Sequence, residues 1–167
     1  MNKSKRYGNN EGKWLRKVEN KMSNQIIEEL NQFLCDLAVF YRKLQNYHWN
    51  VKGKDFFIAH SRLEEYYDGI NEDIDEVAEH ILILGGEPLG SMKDYLEKTK
   101  IVEAKNEKIS SCEVYNNIQV DYTSLYDCAI QIKEKADTEK DYATSSLMDD
   151  YLKKYGKILW MLKQSQE

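Results

Sequence analysis

Apolar residues recur along the chain at intervals of three and four, the spacing that places them on one face of an α-helix. The first such run predicts a helix that begins after Ser23, a suitable N-cap, and ends near Asn50, before the helix breaker Gly53. Its apolar positions are Ile27, Leu30, Phe33, Leu34, Leu37, Phe40, Tyr41, Leu44 and Tyr47.

A second run predicts a helix that Asp55 caps and that Gly85, Gly86 and Pro88 end. Its face is formed by Phe56, His60, Leu63, Tyr67, Ile70, Ile74, Val77, Ile81 and Leu84. Residues 91–97 then form a short helical segment with a capping residue but few apolar anchors.

Two further long helices complete the pattern. Ser110 and Glu113 have the spacing of a capping box and predict the start of the third. Its apolar face is Val114, Ile118, Tyr122, Leu125, Ala129 and Ile132, and the face of the last helix is Leu147, Tyr151, Tyr155, Ile158 and Leu162. A polar stretch at residues 137–141 is expected to connect the two helices.

The connection between the second and third long helices predicts the topology. About 25 residues separate Leu84 from Ser110, whereas up-down-up-down bundles use short loops throughout. Ferritin-like bundles have this order of elements: one helix pair, a long crossover, and then a second helix pair. The sequence therefore predicts an all-α, ferritin-like four-helix bundle, with a short extra helix in the crossover between helices two and three.

Composition agrees with this fold. With 167 residues, one Pro and eight Gly, the chain has the length of one domain and too few turn residues for a β-sandwich or barrel. Three widely spaced cysteines fit neither a disulfide framework nor a zinc site. No run approaches the roughly 20 apolar residues of a membrane span, and no secretory signal is apparent, so we expect a cytoplasmic protein.

Charge is distributed unevenly along the chain. Residues 1–22 carry a net charge of +5 and the remainder a net charge of −10. We therefore expect a flexible basic tail at 1–22, able to bind DNA phosphates without reading sequence, and a bundle domain at 23–167. Met22 is an alternative start, in which case the basic segment does not belong to the protein.

The chemistry of the sequence is concentrated on the second helix. His60 and Glu64, and then Asp75 and Glu79, are spaced by four residues and lie on one side of that helix. His48, near the end of the first helix, adds a nitrogen ligand at the same edge. Imidazole and carboxylate together suit iron, because carboxylates stabilise the ferric ion and histidine binds the ferrous ion.

The spacing of these residues also predicts an oligomer. Glu64 and Asp75 are about 16 Å apart along a helix, so they cannot bind the same ion within one chain. Two subunits that pair antiparallel about a two-fold axis would place the His48, His60 and Glu64 half-site of one against the Asp75 and Glu79 half-site of the other. Such an interface contains two equivalent sites.

At these residues the sequence resembles the Dps family, the mini-ferritins also called DNA-binding proteins from starved cells. The segments HWNVKGKDFFIAH, at residues 48–60, and DEVAEHILILGGEP, at residues 75–88, carry the resemblance. It implies a shell of twelve subunits with ferroxidase sites at the two-fold interfaces. It further implies a preference for hydrogen peroxide as oxidant, with oxygen as the alternative, and storage of ferric mineral inside the shell. By removing both iron and peroxide, such a shell would protect DNA, and it could associate with the nucleoid.

Residue by residue, His48, His60, Asp75 and Glu79 match the ligand positions of that family, and Trp49 matches an aromatic residue beside the site. Glu64 stands where the family usually has Asp, which keeps the carboxylate and lengthens its side chain by one methylene.

Two further differences from the family concern other positions. His80 stands where Arg is common and is expected at the surface. Near Asp137 and Asp141, where relatives line a three-fold entry pore with acids, Tyr142 and Ser146 interrupt the acidic pattern.

Other interpretations stay open at this point. The histidines could be packing residues, and Glu72, Asp73 and Glu76 are assigned to solvent or salt bridges. Tyr47 or Tyr67 could quench radicals. The whole chain could instead be a DNA-binding nucleoid protein with little or no ferroxidase activity, or an unrelated dimeric four-helix scaffold.

Overall fold

The computed structural model describes the backbone of residues 11–165 and the side chains of residues 24–165. Its long helices are α1 (Glu11–Asn50), α2 (Phe56–Ile83), α4 (Ser111–Glu139) and α5 (Tyr142–Gln164). The short helix α3 (Met92–Lys98) lies in the connection between α2 and α4. The predicted four-helix bundle with a short helix in the crossover is confirmed.

The first helix begins earlier than the sequence suggested. Helix α1 starts at Glu11 and its backbone remains helical across Ser23. Since an N-cap residue lies at the non-helical edge of a helix, the assignment of Ser23 as N-cap is wrong. Residues 1–10 of the predicted basic tail, and the side chains of 11–23, lie outside the described residues, so the flexible tail stays a prediction.

The core forms where the apolar faces of the long helices meet. Helix α1 packs against α2, α4 and α3, and α4 packs against α5. Most of the buried anchors are those that the spacing predicted, including Leu30, Phe33, Phe40 and Leu44 of α1, Leu63, Ile70 and Val77 of α2, Ile118, Tyr122 and Ile132 of α4, and Tyr151 and Tyr155 of α5. In α5 the spacing missed Met148, which is fully buried, whereas the predicted Leu147 is only partly buried. Each buried aliphatic or aromatic side chain contributes about 1.5–3 kcal/mol relative to exposure.

Polar side chains of α1 hold the crossover: Asn31 bonds to Glu87 and Leu89, Gln32 bonds to Lys98, and the buried carboxylate of Asp36 binds the residues after α3. Asp36 accepts hydrogen bonds from the Thr99 hydroxyl at 2.9 Å and from the Lys100 backbone N–H at 2.6 Å. Ser91 caps α3 as predicted, by accepting from the Asp94 backbone N–H. These bonds fix both the short helix and the chain that follows it.

The remaining helix ends agree with the sequence in position and differ in detail. Helix α2 begins after Asp55, but this side chain makes no N-cap bond and instead accepts from the Ser111 hydroxyl at 2.8 Å. Gly85 ends α2 with a φ of +80°, a conformation that favours glycine. The capping box of Ser110 and Glu113 is present.

Two short features were not predicted. The strands β1 (Val51–Lys52) and β2 (Ile109–Ser110) pair in parallel and join the α1–α2 turn to the start of α4. Two residues are too few to show a strand pattern in the sequence.

Most of the polar stretch at 137–141 belongs to the last turn of α4, which ends at Glu139 and is followed by Lys140 in the left-handed conformation.

Candidate metal centre

The turn between α1 and α2 brings two histidines together. His48 lies in the last turn of α1 and His60 near the start of α2, and their rings stack with centroids 3.6 Å apart. The Nδ1 of His48 is 2.8 Å from the main-chain oxygen of His60, and the Nδ1 of His60 is 2.9 Å from the main-chain oxygen of His48. Each imidazole is therefore fixed by the backbone of the other residue.

These bonds determine which nitrogen is free. A carbonyl oxygen only accepts hydrogen bonds, so Nδ1 must donate in both residues. In the neutral imidazole the proton is then on Nδ1, and Nε2 keeps its lone pair. Histidine ligands in metal sites commonly have this arrangement, in which the second nitrogen donates to a carbonyl. His48 and His60 are thus prepared as two nitrogen ligands.

Aromatic residues enclose the histidine pair. Tyr67 lies edge-on to His48 at 5.4 Å between centroids, and Phe56 stacks on His60 at 5.1 Å. Partial burial raises the pKa of Tyr67, and the negative charge of Glu64 raises it further. The hydroxyl of Tyr47 instead accepts a hydrogen bond from Asn117 of α4. Tyr67, not Tyr47, is therefore the tyrosine that contacts the pair.

The three carboxylates are exposed and follow the same face of α2. Glu64 lies one turn after His60, whereas Asp75 and Glu79 lie about 16 Å and more beyond Glu64 along the helix axis. Among residues 24–165, no three His, Cys, Asp or Glu side chains converge on a position that could hold a metal ion. One chain brings the histidines together and leaves Asp75 and Glu79 apart from them.

The expectation that His80 lies at the surface is wrong. Its side chain is buried, and its Nε2 lies 2.7 Å from the hydroxyl of Thr144 on α5. That hydroxyl donates to Asp141 at 2.5 Å, so His80 donates to it. The apolar run around His80 concealed this polar contact, because its partner is 64 residues away in the sequence.

The acidic residues near the α4–α5 turn are engaged within the chain. Asp137 accepts from the Ser145 hydroxyl at 2.5 Å and lies 3.6 Å from Lys133, and Asp141 caps α5. Tyr142 and Ser146, which interrupt the acidic pattern, are both exposed.

Comparison with known proteins decides the family. The ferritin-like domain family matches residues 27–166. The DNA protection during starvation protein of Helicobacter pylori is 35% identical, and the match covers 81% of this chain and 94% of that protein. DNA protection during starvation protein 2 of Bacillus anthracis is 38% identical, and the match covers 85% of this chain and 97% of that protein. The chain belongs to the Dps family.

Solved structures of the Dps family agree with this assignment. The crystal structure of the Dps protein of Vibrio cholerae O1, described as a member of a superfamily of ferritin-like diiron-carboxylate proteins, superposes with a TM-score of 0.86. The two chains are 33% identical, and the superposition covers 88% of this chain and 92% of the Vibrio cholerae chain. The hypothesis of an unrelated four-helix scaffold is therefore wrong. No described helix of this Dps family member is long and apolar enough to cross a membrane.

Proposed function

We propose that the protein oxidises and stores iron, with ferrous iron as its substrate. In this proposal His48, His60 and Glu64 of one subunit bind iron together with Asp75 and Glu79 of the partner subunit. The observation that carries the proposal is the pair of hydrogen bonds that leaves Nε2 of both histidines free. Two fixed imidazole donors and three exposed carboxylates are a ligand set that suits ferrous and ferric iron.

The positions of these residues along α2 support one pairing of subunits. If two copies of α2 cross antiparallel with the axis between Gly69 and Ile70, Glu64 faces the partner's Asp75 and His60 faces the partner's Glu79. All four residues lie on one side of the helix at 100° per residue. A single two-fold axis thus completes both half-sites at once.

Exposed apolar residues support the same register. Phe57 and Leu82 lie near the two ends of α2, on the face that carries the exposed carboxylates. Their side chains are 84% and 59% exposed in the single subunit. With the axis between Gly69 and Ile70, Phe57 faces the partner's Leu82. Exposed apolar side chains at both ends of an acidic face are expected where a second subunit covers them.

The chemistry follows from this ligand set. Each ferrous ion loses one electron, and one hydrogen peroxide molecule takes two electrons and two protons to become two water molecules. The carboxylates favour the ferric product, because hard anionic oxygens bind the more highly charged ion more strongly. We propose that this product collects inside a shell of twelve subunits, so that both ferrous iron and peroxide are removed from the surroundings of DNA.

Iron oxidation by the purified shell tests this proposal. Wild-type protein and the double variant His48→Asn/His60→Asn would receive ferrous iron anaerobically and then hydrogen peroxide or oxygen, with light scattering to verify equal assembly. We expect rapid oxidation by the wild type, with two ferrous ions consumed per peroxide, and loss of this rate in the variant. Equal rates in two equally assembled proteins would contradict the proposal.

A second function, DNA binding, is supported by the charge of the N-terminal segment. Residues 1–22 hold seven Lys or Arg and two Glu, and twelve such segments on one shell would act together on one DNA molecule. We propose weak, sequence-independent binding that becomes strong through this multivalency. Gel shifts at several salt concentrations, with and without Lys13→Gln/Arg16→Gln/Lys17→Gln/Lys21→Gln, test it.

The quadruple variant should bind DNA more weakly and with a smaller dependence on salt. Retained binding would show that the contacts lie elsewhere on the shell. If the wild type binds DNA and fails to oxidise iron, a nucleoid-structuring role becomes the better account.

A further inference from the structure

A buried acid on α2 forms a polar cluster with two residues of α5. Asp73 is 3% exposed, and its carboxylate accepts from the Tyr155 hydroxyl at 2.8 Å and from the Lys154 ammonium at 2.7 Å. Lys154 also donates to the main-chain oxygen of Gly69 at 2.9 Å. The interpretation of Asp73 as a solvent-exposed residue is wrong, and its alternative assignment to a salt bridge is confirmed.

Tyr155 belongs to a row of aromatic rings that crosses the bundle. Its ring centroid lies 5.5 Å from that of Tyr122, which lies 5.7 Å from that of Tyr66. On the other side, Tyr155 stacks on Tyr151 at 5.7 Å between centroids. We call these four residues the tyrosine row. They link α2, α4 and α5 through rings that electrons can cross in short steps.

The two ends of the tyrosine row differ in their surroundings. Tyr66 directly precedes Tyr67, whose ring contacts His48 of the proposed iron site. At the other end the Tyr151 hydroxyl donates to Glu76 at 2.8 Å, and Glu76 is exposed. The row therefore reaches the surface at Glu76, and its other end lies one residue along α2 from the tyrosine that contacts His48.

Packing alone does not require this cluster. Phenylalanine would fill the space of Tyr155, and a buried ion pair is often no more stabilising than apolar residues of the same volume. Burying the Asp73 carboxylate has a desolvation cost that its bonds to Tyr155 and to the Lys154 ammonium, whose side chain is 36% exposed, must offset. A phenol that donates to a buried carboxylate is a polar pair that packing does not need, and it favours a chemical role for the phenol.

We propose that Tyr155 is a redox-active tyrosine, which gives one electron to oxidants formed at the iron site and passes its phenolic proton to Asp73. This inference rests on the proposed function for its source of oxidant. The tyrosine row carries the electron toward the site, and the Tyr155–Asp73 hydrogen bond carries the proton over 2.8 Å. The role would be to remove a strong oxidant when peroxide meets a single ferrous ion.

The step balances with reagents that the proposed function supplies. One ferrous ion, one hydrogen peroxide, two protons from solvent, the phenol and the Asp73 carboxylate give one ferric ion, two water molecules, the phenoxyl radical and protonated Asp73. In the core the phenolic proton stays on Asp73 while Tyr155 is oxidised. A second ferrous ion then returns one electron, and the proton moves back from Asp73 to Tyr155. The sum is two ferrous ions oxidised by one peroxide.

The electrostatics of the cluster favour coupled loss of the electron and the proton. Complete burial raises the pKa of Tyr155 well above its ordinary value, and the nearby charge of Asp73 raises it further, so the phenol does not ionise on its own. The Asp73 carboxylate already accepts the Tyr155 hydroxyl hydrogen at 2.8 Å, so the proton has an acceptor in place when the electron leaves.

Freeze-quench EPR on the full-length shell tests the inference. In one arm the protein is loaded with less than one ferrous ion per site and mixed with hydrogen peroxide. In the other, ruthenium tris-bipyridine and persulfate generate a one-electron oxidant by light without any iron. The variants are Tyr155→Phe, Tyr151→Phe as a matched control from the same row, and Tyr115→Phe as a control outside it. Ring-deuterated tyrosine identifies a tyrosyl signal in the wild type.

We expect a tyrosyl radical in both arms that is lost in Tyr155→Phe and kept in both controls. It should form more slowly in D2O, because a proton moves with the electron. Asp73→Asn should abolish the signal, and Asp73→Asn/Lys154→Met should do the same without leaving the Lys154 ammonium unpaired. Circular dichroism would verify that each variant is folded.

The arms separate two kinds of failure. If the wild type oxidises iron but forms no tyrosyl radical, or forms one that persists in Tyr155→Phe, the inference is wrong and the proposed function stands. If the wild type does not oxidise iron, the proposed function fails. The photochemical arm then decides alone whether Tyr155 is the residue that is oxidised.

Discussion

His48 and His60 hold each other through their main chains, because each Nδ1 donates to the carbonyl oxygen of the other at 2.8 and 2.9 Å. The two residues lie on different helices, so this exchange also fixes the turn that contains Gly53. Orientation of the rings and conformation of the turn are thus coupled, and a substitution at either histidine affects both.

Substitution by asparagine separates the structural hydrogen bond that Nδ1 of His48 makes from the iron binding that we propose for its Nε2. Its amide nitrogen can take the position of Nδ1 and donate the same bond, but it has no group at the position of Nε2. We expect His48→Asn to lose iron oxidation while remaining nearly as stable as the wild type. His48→Ala should lose oxidation and also about 1–3 kcal/mol of unfolding free energy, because the His60 carbonyl loses its partner. Thermal and chemical unfolding at matched subunit concentration would measure the difference, and equal destabilisation by both substitutions would contradict it.

Asp36 is expected to control the order of the crossover. Asp36→Ala removes the acceptor for the Thr99 hydroxyl and the Lys100 N–H, so we expect a loss of about 2–4 kcal/mol of unfolding free energy. Hydrogen exchange at Lys100 should become faster, whereas exchange in α4 should change little. Asp36→Asn keeps one acceptor oxygen and should have a smaller effect. Unchanged exchange at Lys100 in the alanine variant would show that other contacts hold the crossover.

The three cysteines should differ in reactivity. Burial raises the pKa of Cys35 to about 11 and that of Cys128 to about 12, and the reactive species is the thiolate. Cys112 is exposed. At mildly alkaline pH we expect iodoacetamide to label Cys112 much faster than the other two, and all three equally after unfolding. Mass spectrometry of timed samples measures this, and rapid labelling of Cys128 in the folded protein would count against the structure of this region.

The capping box of α4 should make stability depend on pH. Two hydrogen bonds from Ser110 hold the pKa of Glu113 below its usual value of 4.5. A lowered folded-state pKa means that the stabilisation is present above the unfolded pKa and is lost as pH falls through the folded pKa. The difference in thermal midpoint between wild type and Glu113→Gln should therefore be largest near neutral pH and shrink on acidification below the usual value. A difference that does not vary with pH would contradict the assignment.

Local signals in the sequence sufficed for most of the fold. Gly53 and Gly85 ended helices where predicted, and Ser110 with Glu113 marked the start of α4, because glycine and capping residues act on their immediate neighbours. Ser23 was a misleading signal, since a good N-cap residue is tolerated inside a helix that continues for other reasons. The β1–β2 pair depends on contacts between distant segments and leaves no local pattern.

The candidate site was predictable in its residue types and not in its geometry. Spacing placed His48 beside the face of α2 that carries Glu64, but the exchange of hydrogen bonds between His48 and His60 depends on the shape of the turn. His80 was assigned to the surface, and Asp73 to solvent or a salt bridge without a partner being named, because their partners lie on α5, far along the chain. Burial of a polar residue follows from tertiary contacts, which periodicity does not describe.

Complementation between two inactive subunits tests the central claim most directly. One chain would carry His48→Asn/His60→Asn and the other Asp75→Asn/Glu79→Gln, each with its own affinity tag, and the two would be produced separately and together. If sites form between subunits, each mixed dimer regains one intact site. In a random mixture about half of the dimers are mixed, and each of these has one intact site out of two. The mixed shells should then oxidise iron at about a quarter of the wild-type rate, while shells of either chain alone are inactive. Mixed shells that are as inactive as the separate chains would contradict an interfacial iron site.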